Sequence, residues 1–76
     1  MTRTTVRLTF RGETVNAPVI YEMGREFKVV TNIRRADVDK DHGWVELDIE
    51  GEQKEIDSAL DYCKQRGIEV QRLGPA

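Results

Sequence analysis

The chain has 76 residues, 38% of them hydrophobic and 34% charged, with 12 basic and 14 acidic side chains for a net charge of −2. That length makes one domain, 1–76 with its core over 4–74, whose interior is small enough for association to matter. The charge balance argues against a nucleic-acid binder held by phosphate contacts. No apolar run approaches the roughly 20 residues that a bilayer span needs.

Thr4 to Arg11 alternates, with Val6, Leu8 and Phe10 in one phase and Arg7, Thr9 and Arg11 in the other, which predicts a half-buried strand. Gly12-Glu13 ends it. Asn16 is placed to cap a first helix, and Pro18 suits its first turn. Val19, Ile20, Met23 and Phe27 follow at helical spacing, so the helix is expected to reach about Phe27. Gly24 weakens it, and a glycine there suggests close packing on the sheet.

Lys28 to Asp39 reads as the second strand. Asp39-Lys40-Asp41-His42-Gly43 is a turn by composition. Trp44 to Glu50 alternates strictly, with Val45, Leu47 and Ile49 against Trp44, Glu46, Asp48 and Glu50, and forms a hairpin with the strand before it. Gly51 breaks that strand. Glu52 to Arg66 is the second helix, with Ile56, Ala59, Leu60 and Cys63 on its apolar face. Its acidic start and basic end suit the helix dipole. Gly67 is a natural residue just past its end. Ile68 to Leu73 is the fourth strand, with Ile68 and Val70 inward, and Gly74-Pro75-Ala76 is a tail.

The order β-α-β-β-α-β predicts an α+β, ferredoxin-like fold: a four-stranded antiparallel sheet, order 4-1-3-2, with two helices on one face. The opposite face then carries Arg7, Thr9 and Arg11 from strand one, Trp44, Glu46, Asp48 and Glu50 from strand three, and Glu69 and Gln71 from strand four. Basic and acidic side chains are expected to pair across strands one and three. Trp44 lies in the polar phase of its strand, where it covers a partner or caps the edge of its own core. Tryptophan is enriched at interfaces, so Trp44, Arg7 and Glu46 are the expected contact residues of a homodimer.

No catalytic constellation emerges, and an enzyme is not expected. His42 is the lone histidine, and with the flexible Asp37, Asp39 and Asp41 it makes a poor metal site. The aspartates also lack the glycine and distal glutamate of a calcium loop. Cys63, the one cysteine, excludes an internal disulfide, a cysteine-built zinc site and an iron–sulfur cluster. It reads as a small core residue with no base to activate it. Glu46 and Asp48 have no apolar pocket to raise a pKa, and there is no phosphate loop. No cofactor or metal is expected.

Thr9-Phe10-Arg11-Gly12-Glu13, Ala17-Pro18, Phe27, Asn32-Ile33, Ala36, Asp39 and the terminal Leu73-Gly74 together form a pattern. It resembles the NIL domain, the C-terminal regulatory part of bacterial methionine-importer ATPases, over Val6 to Gly74. The resemblance implies a ferredoxin-like fold akin to small amino-acid-sensing domains. It also implies pairing with a second copy, methionine bound near that contact, and a larger protein partner. The motif asparagine falls on Asn32, followed by Ile33, and an asparagine amide offers donors and acceptors to an amino acid. Two features depart from the family. Arg34 replaces an apolar third motif residue and could meet a ligand carboxylate, and the hairpin loop is shorter. With no export signal before the first strand, the expected location is cytoplasmic. A protein-interaction module with no small ligand is the other reading.

Overall fold

The strictest alternation in the sequence lies at the centre of the sheet. In β1 (Thr2–Arg11), Val6, Leu8 and Phe10 are buried; in β3 (His42–Gly51), Val45, Leu47 and Ile49 are buried. Residues directly opposite each other share a face, and the two strands pair antiparallel without interruption from Thr2↔Gly51 to Arg11↔His42. Their apolar phases therefore form one continuous floor. The computed structural model describes residues 1–16 and 18–75, apart from the Asn16 side chain.

β2 (Val29–Val38) pairs with the outer side of β3, and β4 (Glu69–Pro75) with the outer side of β1. The order β2-β3-β1-β4 is the expected 4-1-3-2 read from the other edge. Two helices, α1 (Val19–Glu26) and α2 (Gln53–Gln65), close the core. Val19 and Met23 from α1, and Ile56, Ala59, Leu60 and Cys63 from α2, pack with the apolar residues of β1 and β3. Cys63 is a core residue, as its helical phase indicates. Its thiol lies 3.7 Å from the Met23 sulfur, and burial pushes its pKa up to about 11.

Both edge strands carry a bulge. Between Ile33↔Leu47 and Arg35↔Glu46, Arg34 has no partner on β3; between Thr5↔Gly74 and Val6↔Arg72, Leu73 has none on β1. Each bulge inserts one residue and shifts the alternation that follows it.

Several boundaries differ from the expectation. β1 begins at Thr2 rather than Thr4. A short 3-10 segment, Gly12–Asn16, follows it, and α1 starts only at Val19, so Pro18 is the cap residue and not part of the first turn. The Asn16 side chain, expected as the cap, and Ala17 lie outside the described residues. His42 is the first residue of β3 rather than part of the turn. The turn is closed by the Asp39 carboxylate, which accepts from the N–H groups of Asp41 and His42. Gly74 and Pro75, expected as tail, pair with Thr5 and Thr4.

The glycines separate into different roles. Gly67 ends α2 with φ +82, donating to the Lys64 carbonyl while Ile68 N–H donates to Cys63. That pair of bonds is the Schellman arrangement. Gly51 ends its strand as the last paired residue of β3 rather than the first beyond it; it is buried, and a Cβ there would stand 2.8 Å from the Lys28 carbonyl oxygen. Gly24 is the reverse case. No neighbour outside its own helix backbone lies within 4 Å of a Cβ built there, so it does not pack closely on the sheet. Gly24→Ala is therefore expected to raise stability by about 1 kcal/mol in urea unfolding. Gly51→Ala is expected to lower it by about 1–3 kcal/mol, because a backbone carbonyl must give way.

Candidate functional site

The face away from the helices is organised by the carboxylates of β3. Glu46 and Asp48 are only 6% and 7% exposed although they stand opposite the core. Charged groups are buried to that degree when they are paired, and here cations arrive from both flanking strands. From β1, Arg7 Nε donates to Glu46 Oε2 at 2.9 Å, and its terminal nitrogen contacts the same oxygen. From β2, Arg35 Nε donates to Glu46 Oε1 at 2.6 Å. Asp48 Oδ1 accepts from the Thr5 hydroxyl at 2.7 Å and from Arg34 Nε at 2.8 Å.

The bulge in β2 makes this arrangement possible. Simple alternation sends the consecutive Arg34 and Arg35 to opposite faces. With Arg34 inserted between two ladder pairs, both guanidinium groups reach the same face and each takes its own carboxylate. Trp44 completes the layer. It is half-buried, with the guanidinium carbon of Arg7 4.7 Å and that of Arg35 5.6 Å from a ring centroid of its indole. Both distances lie within cation–π range. Arg7 thus contacts both Trp44 and Glu46 within a single chain.

Beside this network lies a groove of about 300 Å³ lined by Arg3, Val30, Thr31, Asn32, Asp48 and Glu50. Pairing sets the chemistry of its floor: Arg3↔Glu50↔Val30 forms one row, and Thr5↔Asp48↔Asn32 the next. Of the three motif positions, the structure brings together Asn32, in the groove, and Arg34, on the Asp48 that floors it. Ile33 stands opposite Leu47 and so belongs to the helix side, where it is half exposed. Sequence reasoning missed Arg3, Thr5 and Arg35. Arg3 and Thr5 fall in the half of β1 whose pairing with β3 extends back to Thr2. The available signal for Arg35 was the basic pair Arg34-Arg35, one hairpin away from the acidic phase of β3.

A second hollow, about 200 Å³ and mainly apolar, lies on the helix side between Phe10, Pro18, Val19, Tyr21 and Val38. At the hairpin, His42 Nδ1 stands 3.5 Å from Asp39 Oδ1, both side chains being well exposed. Among the described residues no cluster of three or more metal-ligating side chains occurs.

Hydrogen bonds from Arg35 and Arg7 hold the Glu46 carboxyl below the ordinary glutamate value of 4.5; those from Thr5 and Arg34 hold Asp48 below the ordinary 3.8. A depressed carboxylate contributes stability that is complete above its unfolded-state pKa and is lost as pH falls through the lower folded-state value. Stability in urea is therefore expected to fall steeply below about pH 4. Glu46→Gln should lower stability at neutral pH and flatten that acid limb. Equal acid slopes in the two proteins would remove Glu46 from the account.

Comparison with known proteins places this geometry in a family. The NIL domain family model matches residues 4–72. The methionine import ATP-binding protein MetN of Aliivibrio fischeri is 32% identical over 73 residues, covering 91% of this chain and 21% of that protein. The MetN of Geobacillus kaustophilus is 33% identical over 74 residues, covering 92% and 22%. The chain thus spans about a fifth of the length of these relatives. Among solved structures, the C-terminal domain of an ABC transporter ATP-binding protein from Enterococcus faecalis superposes with a TM-score of 0.78. The match covers 93% of this chain and 83% of that one at 20% identity, a likeness of fold alone. With nearly its whole length matched and the same antiparallel sheet and helix pair, the chain belongs to the NIL domain family.

Proposed function

We propose that this domain is a regulatory module that binds a small amino acid, methionine or a close analogue, in the groove beside Asn32 and transmits its occupancy to a larger protein partner. The observation that carries this reading is the composition of the groove. The Asn32 amide, a guanidinium, carboxylates and the apolar Val30 meet in about 300 Å³. Those are the groups that an amino acid's two charged ends and its side chain require. The names of the relatives, which are methionine import proteins, supply the ligand to test first.

The groove draws its lining from β2, β3 and β1, so a ligand seated there braces the edge strand against the central pair. Binding to the folded state alone raises apparent stability, and a stiffened edge is a signal a neighbouring protein can read. Arg34 enters this reading through Asp48, which its Nε holds while the rest of its guanidinium stays exposed beside the groove. The domain works as a homodimer on the cytoplasmic side, as expected for a module attached to or acting with ATP-binding subunits. No described helix is long and apolar enough to cross a membrane.

A second reading, docking on a protein without any small ligand, is favoured by one observation. Tyr21 and Val38 line the helix-side hollow, and both are more than half exposed.

Calorimetric titration with L-methionine is expected to give heat and to raise the melting temperature, and Asn32→Ala to weaken binding by about tenfold. Absence of heat and of any thermal shift at millimolar ligand ends the sensing reading. Light scattering should return the mass of a dimer, and a monomer's mass would remove the homodimer.

A further inference from the structure

We infer that Arg3 and Glu50 form a clamp for the two charged ends of a zwitterionic amino acid, Arg3 taking its carboxylate and Glu50 its ammonium group. The inference rests on the sensing reading above and adds the residues that select the class of ligand.

The three carboxylates that β3 presents on the open face are not equivalent. Glu46 and Asp48 are each held by at least two short hydrogen bonds from their own chain. Glu50 is not. Its Oε2 lies 3.8 Å from the Arg3 terminal nitrogen, the longest cross-strand ion pair of the sheet among the described residues. That separation is beyond a hydrogen bond, and the two side chains keep 53% and 38% of their exposure. Both line the groove, in the row that Val30 completes and next to the row that holds Asn32.

A loose ion pair is what a dipolar ligand can replace at least cost. The ligand's carboxylate meets a planar guanidinium whose paired N–H groups match its two oxygens. Its ammonium meets a carboxylate that can only accept. One long contact is exchanged for two short charge-assisted bonds, and no charge is left without a partner. Asp48 is the poorer partner for an ammonium, because Thr5 and Arg34 already hold its Oδ1 and its side chain is 9% exposed against 38% for Glu50. Val30, 63% exposed, stands where the ligand's apolar side chain would lie, and its burial favours an uncharged side chain.

The test is calorimetry of the wild type, Arg3→Gln and Glu50→Gln with three probes: L-methionine, its methyl ester, and N-acetyl-L-methionine. Each blocked compound should bind the wild type about tenfold more weakly than methionine, or worse. Arg3→Gln should weaken methionine by a similar factor yet leave the methyl ester, which has no carboxylate to lose, unchanged. Glu50→Gln should weaken methionine and leave N-acetylmethionine unchanged. Thermal melts of both variants guard against loss of folding. If both variants bind methionine like the wild type, or lose all three probes by one common factor, the clamp is wrong while the sensing reading survives. If the wild type binds none of the probes, both fall together.

Discussion

The sheet depends on a balance struck along β3. On one side this strand delivers Val45, Leu47 and Ile49 to the core; on the other it carries Glu46 and Asp48, nearly as deeply covered. Carboxylates in that setting destabilise unless cations meet them at close range. Arg7 comes from β1, Arg34 and Arg35 come from β2, and the Thr5 hydroxyl joins Arg34 on the same Asp48 oxygen. The strand order is thus also a charge order, with an acidic column between two cationic ones. A sheet in which β3 lay at an edge would leave the column half unpaired.

This balance narrows where recognition can take place. Most of the open face is occupied with itself: Trp44 is flanked by two guanidinium groups and Glu46 is held from both sides. The rim near the start of β1 and β2 stays available, where the Arg3–Glu50 pair is loose and the groove opens. The helix-side hollow is different in kind, being apolar and bounded by the short α1. The two regions lie on opposite faces of β2, and both draw part of their lining from it.

The architecture was legible because β1 and β3 alternate without a break and α2 carries one clear apolar stripe. Those are local patterns, and the strand order followed from connectivity. Two of the misreadings share a cause, a contact between distant segments. Gly51 resembles a strand breaker by composition, yet it is glycine because the Lys28 carbonyl passes so close. Arg34 and Arg35 cannot be placed on one face by any period, since the inserted residue is seen only against β3. Of the site, Asn32 was reachable through the family pattern. Arg3 was not, because the expected strand began one residue after it and no charge pattern alone marks a loosely held pair.

The two bulges have a consequence for the fate of the protein at high concentration. Val29 to Ile33 is a run that favours extended structure, and at the border of a sheet such a run can recruit further chains into growing fibrils. Arg34 interrupts that border with a kink and a charge, and Leu73, Gly74 and Pro75 do the same on the far side, where proline also lacks a donor. The uninterrupted ladder is kept in the middle, between β1 and β3, where no outside strand can reach it. Irregularity at both margins therefore makes the sheet a finite object, closed to endless stacking while its interior stays regular.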